Sequence, residues 1–200
     1  RSGLKFSNGD DLTTADVKYS FERLLNPKTA APTAFMFEVL KGAKDYEAGT
    51  ATEVAGIKVI DATTIEFTTD GPVWTMMQRF ALPPGYIVSQ KGVEAAGDDF
   101  GRKPLGAGPF MIESWESGVK VTGTKNPYYY QEGQPAFDGF DLQLSIESSV
   151  EILKIQNGEA DIALDFVPSA DYPTLAADPV LSKQLIASQG FPNTGYVIMN

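Results

Sequence analysis

Leu105-Gly106-Ala107-Gly108-Pro109-Phe110, followed by Trp115 and then by Asn126-Pro127-Tyr128-Tyr129-Tyr130, is the stretch on which the reading of this chain turns. It carries no nucleophile, acid–base pair or metal cluster. It encodes a chain reversal and a hairpin. Gly106 and Gly108 open backbone angles closed to other residues, and Pro109 sets the direction of exit. Phe110-Met111-Ile112-Glu113-Ser114-Trp115 reads as a strand and Val119-Lys120-Val121-Thr122 as its return. Asn126-Pro127 closes the unit with a turn signal. A punctuated hairpin in mid-chain marks a passage from one subdomain to another.

On the N-terminal side, Leu4-Lys5-Phe6 alternates as a short strand and Ser7-Asn8-Gly9-Asp10 is a turn cluster. Thr13 is the expected N-cap of a helix over 14–25, with Asp16 three residues later and Val17, Phe21 and Leu24/Leu25 at helical spacing. Asn26-Pro27 stops it. A second helical segment is expected around Phe35–Tyr46. Ile57/Val59 and Ile65/Phe67 alternate on either side of Asp61-Ala62-Thr63, which predicts a hairpin. Trp74–Phe80 reads as a short helix and Pro83-Pro84-Gly85 as a rigid bend.

On the C-terminal side, Phe140, Leu142, Leu144 and Ile146 alternate with polar residues as a half-buried strand. A helix over 149–157 ends at Asn157-Gly158, and Ala160-Asp161-Ile162-Ala163-Leu164 reads as a strand. Strand, helix and strand in this order predict a right-handed parallel crossover. A short helix over 169–177 and strands over Lys183–Ser188 and Tyr196–Met199 complete the expectation. Both ends are abrupt, which leads to the expectation of a piece of a longer chain.

Composition removes several function classes. The chain has 200 residues, 42% hydrophobic, which is enough for a sizeable core. Its net charge is −10, from 16 basic and 26 acidic residues, which argues against a nucleic-acid partner. No apolar run approaches the roughly 20 residues needed to cross a bilayer as a helix. Cysteine and histidine are both absent. Disulfides, thiol catalysis and His-based triads are therefore excluded, and with them most zinc or copper ligation by the chain itself. No cofactor is expected. The surviving enzymatic alternative is a carboxylate-based hydrolase such as a glycosidase.

The order of motifs resembles the family 5 extracellular solute-binding proteins, the peptide- and nickel-type receptors of ATP-binding cassette importers. The resemblance is carried by Gly3-Leu4-Lys5-Phe6-Ser7-Asn8-Gly9-Asp10, by the run from Asp11 to Leu24, by Pro104–Phe110, Trp115 and Asn126-Pro127-Tyr128-Tyr129, and by Leu153–Ile162 and Tyr196–Asn200. It implies a mixed α/β fold like the type II periplasmic binding proteins, of which this chain supplies part of lobe I. Residues 1–104 then form a peripheral subdomain, 105–190 a sheet-bearing subdomain, and 191–200 the start of the crossing to lobe II. It further implies a periplasmic or extracellular receptor, for which a lipid anchor in the full-length protein is one option. Such a receptor takes a peptide or similar small solute between two lobes and hands it to a membrane permease.

The resemblance also implies where lobe I meets ligand: Phe35, Met36 and Phe37 after the first helix, Tyr86 after Pro83-Pro84-Gly85, Phe166, Val167 and Pro168, and Asn193 and Thr194 near the crossing. For Phe35–Phe37 the alternative is a place in the core. Aromatic and Met side chains suit adaptable apolar walls. Other signals have plainer readings. Tyr128–Tyr130 fits packing after the turn better than a sugar platform. Gly106-Ala107-Gly108 lacks the third glycine of a dinucleotide motif. Asp10-Asp11, Asp98-Asp99 and Glu113/Glu116 lack calcium-loop spacing and read as solvated acidic surface. Exposed lobe and strand-edge surfaces imply that the chain on its own self-associates.

Overall fold

The computed structural model describes residues 1–163 and 167–186, which fall into two compact units, Arg1–Leu142 and Gln143–Asn200.

The first unit is built on helix α1, Thr14–Leu25. The Asp16 carboxylate reaches back to accept the Thr13 N–H at 3.0 Å and the Thr13 hydroxyl at 2.9 Å. This supports the start of the helix where backbone donors lack partners. The helix ends at Asn26, extended as a residue before proline must be. Its apolar face delivers Phe21 and Leu25 to a core completed by Phe37, Leu40, Ala43, Val54 and Ile57. Four phenylalanines interlock there. Phe21 lies 4.8 Å from Phe37, 5.2 Å from Phe67 and 5.5 Å from Phe80, centroid to centroid. Phe67 and Phe80 each meet the Phe21 ring edge-on, an arrangement favoured by the aromatic quadrupole.

The expected helix over 35–46 does not form as one piece. A 3-10 turn covers Ala34–Met36 and helix α2 only Ala43–Glu47. Between them the backbone pairs sideways: Lys41 N–H donates to Thr68 O at 2.9 Å, Gly56 N–H to Lys41 O at 2.7 Å and Asp70 N–H to Val39 O at 3.1 Å. Gly42, at φ 76°, then makes the corner into α2. Phe37 and Leu40 are three apart and both fully buried, which imitates helical spacing without a helix.

The hairpin forms as expected from β1 (Ile57–Val59) and β2 (Ile65–Phe67), with Ile57 opposite Phe67. At its turn the Asp61 carboxylate accepts the N–H groups of Thr63 and Thr64, both at 2.8 Å. These donors hold its carboxyl below the usual carboxylate range. Helix α3 is Met76–Phe80, leaving Trp74 exposed outside it, and Pro83–Gly85 is a 3-10 bend. Helix α4, Gln90–Ala96, was not expected from the sequence. Ser89 caps it by accepting Gly92 N–H at 3.1 Å. Gly92 weakens the helical signal, yet it is where Leu105 packs: a Cβ there would lie 2.7 Å from the Leu105 side chain.

The glycine turn leads into a three-stranded sheet of order β3-β4-β5, with β3 at Phe110–Glu116, β4 at Lys120–Lys125 and β5 at Gly139–Gln143. Strands β3 and β4 pair antiparallel with an irregularity between Ile112 and Ser114. Leu4–Phe6 is reduced to one bridge, Lys5 with Asp11. The alternation through Leu144 and Ile146 stops early because Ser145 turns to φ 58°, outside the extended region.

In the second unit, helices α5 (Ser148–Gln156) and α6 (Tyr172–Ala177) form near their expected places. Ser149 Oγ donates to the Asp171 carboxylate at 2.9 Å. Residues 160–163 are not a strand, since no strand edge among the described residues receives their backbone, so the parallel crossover is not formed there. Leu181–Lys183 is a 3-10 turn where a strand was expected from Lys183; Asp178 Oδ1 holds it by accepting Val180 N–H and Leu181 N–H at 2.8 and 2.9 Å. Leu164, the end of the Lys183–Ser188 strand and the Tyr196–Met199 strand lie outside the described residues.

Phe37→Ala removes one ring of the aromatic cluster, and the expected loss is about 3–5 kcal/mol. Urea denaturation checks this; an unchanged midpoint would show that the four rings do not carry the core.

Candidate functional site

A pocket of about 620 Å³ opens in the first unit, between α1, the turn at 33–36 and the segment 82–88. Its walls are Ser20, Arg23 and Leu24 from α1, Thr33 and Met36 from the turn, and Leu82, Pro83, Pro84, Tyr86 and Val88 from the opposite segment. That volume lies within the range of small-molecule sites, and mainly apolar walls with a few polar groups are the usual make-up of such sites. The lining contains no Asp or Glu, so two carboxylates for glycoside hydrolysis do not converge in it.

Each wall is fixed by a short chain of hydrogen bonds. Ser20 Oγ donates to Asp16 O at 2.7 Å and accepts Val88 N–H at 2.9 Å, so one buried hydroxyl joins α1 to the far side. Gln90 N–H adds a contact to Asp16 Oδ1 at 3.3 Å. The Met36 carbonyl accepts from the Arg79 guanidinium, whose Nε also donates to Thr75 Oγ1 at 3.2 Å. Arg79 therefore ties the 34–36 turn to α3. The bend at Pro83-Pro84-Gly85 is held by Gly85 N–H to Leu82 O at 2.8 Å. A Cβ on Gly85 would lie 2.4 Å from Phe80 O, so the bend lies directly on α3 and only glycine fits. Beside the pocket, burial pushes the Tyr19 hydroxyl up from its usual range while the Arg23 charge opposes this.

Of the residues expected to meet ligand, Met36 and Tyr86 come together in this pocket, with Pro83 and Pro84 beside them. Tyr86 is 65% exposed and Met36 half-buried. Phe35 is 60% exposed and is not part of the lining. Phe37 is 0% exposed and belongs to the core, so it has no surface to offer a ligand. Val167 and Pro168 are half-buried in the second unit, where Pro168 O accepts the N–H groups of Asp171 and Tyr172 at 3.0 and 3.1 Å ahead of α6. Phe166, Asn193 and Thr194 lie outside the described residues. Ser20, Arg23, Leu24, Thr33, Leu82 and Val88 were not anticipated as lining. Among the described residues no group of three or more acidic side chains converges to hold a metal ion.

The fold is the mixed α/β arrangement of the oligopeptide-binding proteins. The peptide-bound OppA of Listeria monocytogenes superposes with a TM-score of 0.74 at 28% identity, over 80% of this chain and 33% of that one. The chain belongs to the bacterial extracellular solute-binding proteins, family 5, whose model of the family's middle portion matches residues 1–200. It is 28% identical to the glutathione-binding protein GsiB of Salmonella typhi, over 100% of this chain and 36% of the relative. It is 29% identical to the oligopeptide-binding protein OppA of Bacillus subtilis, over 94% of this chain and 36% of the relative. The chain thus spans about a third of the length of the relatives it matches.

Ser20→Ala leaves the Val88 N–H without its acceptor, at a cost of about 1–3 kcal/mol. Hydrogen exchange at the Val88 amide is the direct readout. Unchanged protection there would mean the 86–88 wall is held by something other than this hydroxyl.

Proposed function

We propose that this chain is part of lobe I of an extracytoplasmic solute-binding receptor that takes a peptide and delivers it to the membrane permease of an ATP-binding cassette importer. The observation that carries the reading is the match of the whole chain to the solute-binding family, in a chain whose first unit has a ligand-sized pocket at Met36, Pro83, Pro84 and Tyr86. Two relatives support the ligand class, one described as glutathione-binding and one as oligopeptide-binding. Within lobe I, residues 1–104 are the peripheral subdomain, 105–190 the sheet-bearing one, and 191–200 the crossing toward lobe II. Val167 and Pro168 are the further ligand contacts that this reading assigns to the sheet-bearing subdomain. The receptor is non-catalytic: ligand selects the closed arrangement of the lobes, and the permease reads that state. It acts in the periplasm or outside the cell, with a lipid anchor as one means of staying at the membrane.

The test is calorimetry on the full-length receptor with tripeptides. Tyr86→Ala, which removes one aromatic wall, is expected to weaken binding about tenfold, the worth of a partly buried aromatic side chain. Affinity unchanged by Tyr86→Ala and by Met36→Asp together would remove the pocket from the binding site.

A chain of these 200 residues alone exposes Trp74 at 92% and Ile186 at 96%. It is expected to associate with itself at high concentration; a strict monomer in light scattering would show that these side chains are not adhesive.

A further inference from the structure

Every ion pair among the described residues is made by a lysine: Lys5, Lys18, Lys120 and Lys154 take all the carboxylate partners within 4.0 Å. Arg79 spends its guanidinium on Thr75 and on the Met36 carbonyl. Arg23 is different. It is half-buried in the wall of the pocket, and among the described residues its guanidinium meets neither a carboxylate nor a hydrogen-bond acceptor. Its place in the last turn of α1 suits a cation, because the carbonyl end of a helix is partly negative. That attraction leaves the five donors of the guanidinium fork without acceptors.

We infer that Arg23 anchors a ligand carboxylate in the pocket, with an apolar group attached to that carboxylate lying against Leu24, Met36, Leu82 and Pro83. The inference rests on the pocket being the binding site proposed above and adds which end of the ligand enters it. Charge complementarity carries the argument. Arg23 is the one formally charged residue in the lining, and no acidic side chain there neutralises it. The chain as a whole carries −10, but beyond about 8–10 Å such charge is largely screened by salt. At contact distance the local cation decides. A guanidinium presents two parallel N–H donors that match a carboxylate, and such charge-assisted pairs are about twice as strong as neutral hydrogen bonds. The walls explain why the partner is not a bare anion. Leu24, Met36, Leu82, Pro83 and Pro84 give a hydrocarbon or aromatic side chain an apolar place beside the cation. The end of a peptide with an apolar last residue has this composition.

The experiment compares the tripeptide Ala-Ala-Phe with its C-terminal amide on the full-length receptor by calorimetry, in the wild type and in Arg23→Gln, Arg23→Lys, Tyr86→Ala and Met36→Asp. Amidation is expected to weaken wild-type binding by roughly tenfold or more, the worth of a charge-assisted hydrogen bond. In Arg23→Gln the acid should fall to the level of the amide, so that the difference between them vanishes. Arg23→Lys, which keeps the charge and loses the fork, should restore part of it. An acid–amide difference that survives Arg23→Gln, with Tyr86→Ala and Met36→Asp still weakening both peptides, overturns the carboxylate anchor and leaves the pocket in place. Both peptides indifferent to Tyr86→Ala and Met36→Asp overturn the pocket, and the anchor with it. A receptor that binds neither tripeptide contradicts both.

Discussion

The contact of Phe21 with Phe37, Phe67 and Phe80 is the constraint on which the first unit depends. Four rings from four separate segments meet within 4.8–5.7 Å: α1, the turn after the 3-10 segment, β2 and α3. None of these segments is long. Helix α3 has five residues and each hairpin strand three. Isolated helices and hairpins of such length are marginal in water, so their shape is borrowed from the cluster. The pocket inherits this order, because Leu24 and Met36 pack on the core and also line the cavity.

Above the rings, single polar groups set the distance between the walls. The Ser20 hydroxyl is buried and used twice, as donor to its own helix and as acceptor from the facing segment. Serine usually weakens a helix interior. Here the cost is offset by an otherwise unpaired Val88 N–H. Pro83 and Pro84 stiffen the opposite wall, and Gly85 lets it lie on Phe80. The result is a site built on rigid backbone with its one charge held in reserve.

What was legible in the sequence was what is local. Thr13, Asp16 and the spacing of Val17, Phe21 and Leu25 specify α1 within its own length, and Asp61 with Thr63 specifies the hairpin turn. The helix expected over 35–46 failed for a long-range reason: the backbone of 39–41 pairs with residues 56 and 68–70, which no periodicity in 35–46 records. Helix α4 was hidden by Gly92, whose missing side chain makes room for Leu105. Part of the pocket lining was legible: the family resemblance names Met36 and Tyr86, and the fold brings them into one pocket. Ser20 and Arg23 were not, since on a helical wheel both look like ordinary polar positions. Only the placement of 82–88 across from them makes them a wall.

The glycine turn at 105–109 shows why a strongly punctuated motif need not be a binding site. Asn126 is 2% exposed, and its side-chain amide donates to Gly108 O at 2.7 Å while its carbonyl oxygen accepts Tyr128 N–H at 2.9 Å. Its own N–H donates to Pro109 O at 2.9 Å, and Gly106 O accepts Ser7 N–H at 2.9 Å. One buried asparagine therefore satisfies the turn from inside, and the N-terminal turn is stitched to the same place. Three backbone acceptors of the turn are thus occupied by the chain itself, at Gly106, Gly108 and Pro109. Gly123 extends the same logic into the sheet. A Cβ there would fall 2.2 Å from the Phe140 ring, so β4 has no side chain where Phe140 must lie across it. Gly123 and Gly139 serve close approach between strands, and the pocket lined by Arg23 and Tyr86 lies elsewhere in the first unit.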